Sequence, residues 1–92
     1  MARWTTQEFQ TIDDKFETMY ARTVKLEIKH VSDNSDPNSG SYRLRCIDVD
    51  VKAAAPLELG DCESLDKAQK RADELMKQNR KNPPNLKWTK VE

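Results

Sequence analysis

Between positions 24 and 29 the chain alternates without a slip. Val24, Leu26 and Ile28 are apolar, and Lys25, Glu27 and Lys29 between them are charged. A period of two puts the apolar set on one side of an extended strand and the charged set on the other. A strand of this kind belongs to a sheet with one face in the core and one charged face towards water. The chain has 92 residues, so it supports one domain, spanning 1–92, with one thin core and little depth for a cleft. Only 36% of the residues are hydrophobic against 35% charged, so each apolar stripe matters.

The remaining elements are read outward from that strand. Phe9, Ile12, Phe16, Met19 and Tyr20 recur at helical spacing, and Asp13, Asp14, Lys15 and Glu17 occupy the other side. Thr5 and Glu8 have capping-box spacing, and Trp4 and Phe9 sit at staple positions, which predicts a helix over about residues 6–21. His30 continues the apolar phase and reads as a strand-end residue with a local partner. Residues 32–41 are a cluster of Ser, Asp, Asn, Pro and Gly, which predicts a long loop. A second strand starts at Tyr42, with Leu44 and Cys46 in phase and Arg43 and Arg45 opposite. The phase then flips to Ile47, Val49 and Val51, which predicts a β-bulge near Cys46–Ile47. Leu57 and Leu59 allow a short third strand, ended by a turn at Gly60 and Asp61. Ser64 is a good N-cap for a second helix with the stripe Leu65, Ala68, Ala72, Leu75 and Met76. Two alanines in that stripe predict close packing on a sheet. The two prolines Pro83 and Pro84 end the helix, and residues 86–91 read as a last strand with Trp88 on the core. The expected fold is α+β, an antiparallel sheet of three to four strands with two amphipathic helices in the order α-β-β-(β)-α-β.

Several chemistries have no residues to carry them. With only Gly40 and Gly60, the chain holds no glycine-rich phosphate loop. One histidine and two cysteines, Cys46 and Cys62, show no metal-ligand spacing, so no metal and no cofactor are expected. Asp48 and Asp50 could pair as acid and base or hold Mg²⁺, but they read more simply as a solvated strand face. No catalytic residue is assigned, and the chain reads as a non-enzyme without a small-molecule substrate. No apolar run approaches a membrane span, and the start lacks a signal-peptide core. A cytoplasmic protein with free thiols is expected.

Charge is balanced overall, at 16 basic and 16 acidic residues, yet segregated along the chain. Residues 53–66 carry four acidic groups and no basic one, whereas residues 67–92 carry eight basic and three acidic. Lys67, Lys70, Arg71, Lys77, Arg80 and Lys81 make a basic helix face suited to a phosphate backbone or an acidic protein patch, with Arg43 and Arg45 adding to it if they face the same way. The alternative is a solvated face with i,i+4 pairs such as Lys70–Glu74 and Asp73–Lys77. Glu58, Asp61 and Glu63 form the acidic counterpart, suited to basic protein subunits.

Two resemblances follow from particular segments. The segment Leu65-Asp66-Lys67-Ala68-Gln69-Lys70-Arg71-Ala72-Asp73-Glu74-Leu75 resembles the last helix of the double-stranded-RNA-binding domain. That likeness implies an α-β-β-β-α fold with Lys67, Lys70 and Arg71 on phosphates. The Met-Ala-Arg-Trp-Thr-Thr start, the Pro-Pro-Asn-Leu-Lys-Trp-Thr ending and the overall length resemble small phage-encoded anti-CRISPR proteins of the type I-F class. Members bind the RNA-guided surveillance (Csy) complex and stop it engaging target DNA. The resemblance implies a stoichiometric inhibitor in the host bacterial cytoplasm, with complex subunits as partners and the guide RNA as a further contact. Several members are strongly acidic DNA mimics, and this neutral chain departs from them.

Overall fold

The alternating strand of residues 24–29 is the spine of the molecule. The computed structural model describes residues 2–10, 23–33, 36–51, 53–79 and 83–92. In chain order the elements are β1 (Arg3–Thr6), β2 (Phe9–Gln10), β3 (Thr23–Asp33), β4 (Asp36–Asp48), β5 (Leu57–Cys62), α1 (Leu65–Asn79) and β6 (Trp88–Lys90). All six strands are antiparallel in one open sheet, in the order β5-β4-β3-β1-β6, with β2 also on β3. Helix α1 packs on one face of β3, β4 and β5. Among the described residues this is one helix over six strands, not the expected two helices over three or four. No helix among them is long and apolar enough to cross a membrane.

The largest correction is at the start of the chain. Arg3–Thr6 and Phe9–Gln10 are strands, so Trp4, Thr5, Glu8 and Phe9 form neither a capping box nor a staple; residues 11–21 of the expected helix lie outside the described residues. The run Trp-Thr-Thr favours a pleated, half-buried surface, and pairing on both sides outweighs a local capping signal. Trp4 lies opposite Ile28 on one side and Lys90 on the other. The ladder is interrupted between Thr6 and Phe9, and side chains take over there. The Thr6 hydroxyl accepts the Leu26 N–H at 3.0 Å and donates to the Gln7 carbonyl at 3.0 Å. The Gln7 amide donates to the Asn85 carbonyl at 2.7 Å and accepts the Lys87 N–H at 2.8 Å, which holds the approach to β6.

Two turn readings are also corrected. The backbone of residues 32–33 and 36–41 continues the β3–β4 ladder, with Val31 opposite Ser41 and Ser32 opposite Gly40. Once Leu26–Cys46 and Ile28–Leu44 set the register, the polar stretch follows it. The bulge is not at Cys46–Ile47, since β3 and β4 stay in register from Val24–Asp48 to Ser32–Gly40. It lies on β5, where Leu44 faces Gly60 and Arg45 faces Glu58, leaving Leu59 extra. Gly60 therefore sits inside a strand at φ 128°, a conformation side chains disfavour, rather than in a turn. Ile47 consequently lies on the outer face beside Lys25, and Val51 is exposed.

The core is small. Leu26, Ile28, Leu44, Ala68 and Ala72 are fully buried. The two alanines let α1 lie close against the β3–β4 surface, as their spacing predicts. Ser64 caps that helix, its Oγ accepting the Lys67 N–H at 3.1 Å. Trp88, Trp4 and Tyr42 close the rim of this core.

Candidate functional site

The face of the sheet away from α1 carries the charge. Register places Arg43, Lys29 and Arg3 side by side across β4, β3 and β1, with Asp61 of β5 at one end. The next row holds Glu58, Arg45, Glu27 and Thr5. Between the rows runs a continuous chain of ion pairs. Asp61 meets Arg43 at 3.2 Å, Arg43 meets Glu58 at 3.9 Å, and Glu58 meets Arg45 at 3.0 Å. Arg45 meets Glu27 at 3.7 Å, Glu27 meets Arg3 at 3.4 Å, and Arg3 meets Glu92 at 3.1 Å. Glu27 is the centre of this ladder. It is only 4% exposed, and its two carboxylate oxygens lie against the guanidinium groups of Arg3 and Arg45. A shallow depression of about 450 Å³ opens at the β5 end, lined by Arg43, Glu58, Gly60 and Asp61.

The ladder changes the meaning of the charge segregation. Arg43 and Arg45 share no face with the basic residues of α1; they lie on the opposite side of the sheet. Their partners are Asp61 and Glu58, two of the three acidic residues singled out in the sequence. The third, Glu63, pairs with Lys67 at 2.8 Å. That hydrogen bond, and then the opposite charge, hold the Glu63 carboxyl below its usual range and lift the Lys67 ammonium above its own. Glu58, Asp61 and Glu63 thus neutralise Arg43, Arg45 and Lys67 locally. Lys70, Arg71 and Lys77 stay exposed on α1. The Arg71 Nε donates to the Leu59 carbonyl at 3.4 Å, over the bulge. Neither Lys70–Glu74 nor Asp73–Lys77 forms an ion pair among the described residues, and Arg80 and Lys81 lie outside them.

The other chemistry-bearing side chains have local work. Asp48 Oδ1 accepts the N–H groups of Asp50 and Val51 at 2.9 and 3.0 Å, ending β4 in a turn. Asp50 Oδ2 accepts the Thr23 N–H at 2.7 Å. Asp50 is therefore past the strand, and the pair does not share a strand face. His30 stacks on Tyr42 at 4.7 Å, the local partner its position suggests, and Tyr42 tilts against Trp4 at 5.9 Å. Cys46 faces Leu57 and Cys62 faces Tyr42, so the two free thiols are four residues apart along the ladder, about 13 Å and beyond bridging distance. Burial, with Asp48 nearby, pushes the Cys46 thiol up, so it is a poor nucleophile. Among the described residues no three His, Cys, Asp or Glu side chains gather as a metal ion needs.

Sequence reasoning missed Glu27, Arg3, Lys29 and Glu92. The alternation had marked a charged outer face, but the pairing depends on β1 being a strand. No family model matches this chain, and no curated protein or solved structure is significantly similar to it.

Proposed function

We propose that this chain is a non-catalytic binding protein that occupies the type I-F RNA-guided surveillance complex stoichiometrically and blocks its capture of target DNA. The target comes from the resemblance of the two chain ends to small phage-encoded anti-CRISPR proteins. The observation that carries the binding mode is the ion-pair ladder. A surface whose acidic groups already hold arginines is not a free polyanion, so the mechanism is surface complementarity and not imitation of DNA by net charge. Pre-paired side chains are also held in place before contact, which lowers the ordering cost of association. Complex subunits are the principal partners, guide RNA is a further contact, and the setting is the host bacterial cytoplasm.

The exposed Lys70, Arg71 and Lys77 of α1 favour a second reading, a small RNA- or DNA-binding module. Against it, the likeness to the double-stranded-RNA-binding domain requires an opening helix where Arg3–Thr6 and Phe9–Gln10 are strands. Arg43 and Arg45 also lie on the far face. A mobility-shift titration separates the two. An inhibitor abolishes the shift of target DNA by the guide complex at about one equivalent and shifts free duplex RNA or DNA poorly. A nucleic-acid module shifts free RNA or DNA with steep salt dependence and leaves no one-equivalent endpoint.

A further inference from the structure

The cation row Arg43–Lys29–Arg3 is unevenly compensated. Neighbouring strands are about 4.8 Å apart, so Lys29 has an arginine on each side. Like charges directly opposite one another repel. Two of the three are relieved, Arg43 by Asp61 at 3.2 Å and Arg3 by Glu92 and Glu27 at 3.1 and 3.4 Å. Lys29 is the exception. Among the described residues no carboxylate lies within 4.0 Å of its ammonium. Its nearest acid along β3, Glu27, has one oxygen on Arg3 and the other on Arg45.

From this cation, uncompensated among the described residues and on a face that no described element covers, we propose that the sheet face opposite α1 docks a partner protein that presents a single carboxylate side chain to Lys29. The rest of the face selects the occupant. Glu58 and Asp61 bracket the row on the β5 side, and Glu92 brackets it on the other. A nucleic-acid strand repeats its negative charge at every nucleotide and would set further phosphates against those carboxylates. A protein surface with one Asp or Glu, ringed by neutral or basic groups, meets both signs at once.

The inference rests on the reading of the chain as a binding protein, and the test lets the two fail separately. The ¹⁵N-labelled protein is titrated with the capped peptide acetyl-Gly-Glu-Gly-amide at low salt. Saturable shifts at Lys29, Arg3 and Arg43, with Lys70 and Lys77 unmoved, are expected. Lys29→Gln is expected to weaken the response roughly fivefold to tenfold while leaving the spectrum folded. Equal shifts at Lys70 and Lys77, or an unchanged response in Lys29→Gln, would overturn the proposal. Stronger shifts of the same residues by single-stranded RNA would overturn it in favour of a nucleic-acid surface. In a parallel arm, Lys29→Glu is expected to lose binding to the guide complex, and full retention counts against the docking face. If the unaltered protein ignores the complex, the target assignment fails while the peptide arm still decides the face.

Discussion

Ile28→Ala is expected to cost about 3 kcal/mol of folding stability, enough to leave much of the protein unfolded at mild denaturant. Ile28 is fully buried on the central strand, between Trp4 of β1 and Leu44 of β4. The cost has two parts, the lost transfer of three methyl or methylene carbons and the cavity they leave. The cavity should persist because β3 is pinned by strands on both sides and cannot close inward. Among the described residues the fully buried set has five members and two are alanines, so few of these neighbours have volume to shift into the gap. Urea unfolding checks this through the midpoint at constant slope. Leu57→Ala is the control, since Leu57 is 63% exposed, and its effect should stay within about 0.5 kcal/mol. A loss below about 1 kcal/mol for Ile28→Ala would contradict the placement of the core.

Glu27→Ala is expected to cost about 2–3 kcal/mol, a large loss for a residue on the outer face of a sheet. Removing Glu27 leaves Arg3 and Arg45 pointing at one another over a site that is nearly closed to water. Arg3 keeps Glu92 and Arg45 keeps Glu58, but both lose the buried carboxylate between them. Truncating one partner of a buried ion pair costs more than the pair itself contributes. The arginines are partly exposed, at 38% and 25%, which keeps the figure below that of a wholly buried triad. For a domain of this size the melting temperature should fall by roughly 10–15 °C. Glu92→Ala removes the exposed end of the same ladder and should cost under about 0.5 kcal/mol, because exposed pairs are weak. Equal melting temperatures for the two variants would mean that the ladder is a set of independent surface contacts.

What was legible in the sequence was the part governed by local periodicity. The alternation at Val24–Ile28, the N-cap at Ser64 and the alanine pair of α1 all express themselves within a few residues, and the structure follows them. The misread parts depend on distant partners. Trp4 and Thr5 look like the entrance to a helix until β3 and β6 are placed on either side. The polar residues 32–41 look like a loop until the register of Leu26–Cys46 and Ile28–Leu44 carries the ladder through them. The apparent phase flip at Ile47 looked like a bulge in β4, but the extra residue is Leu59 on the neighbouring strand. The candidate site failed in the same way. Arg43, Arg45, Glu58 and Asp61 were each singled out, but as two opposed surfaces. Only cross-strand register shows that they are one another's partners, and that the centre of the array is Glu27.

The most direct test of the account is co-elution. The purified protein is run on a sizing column with an assembled type I-F guide complex, and with the free guide RNA as control. The proposed function predicts that it elutes with the complex at a fixed ratio and not with the RNA. Elution with the RNA alone, or with neither, would contradict it.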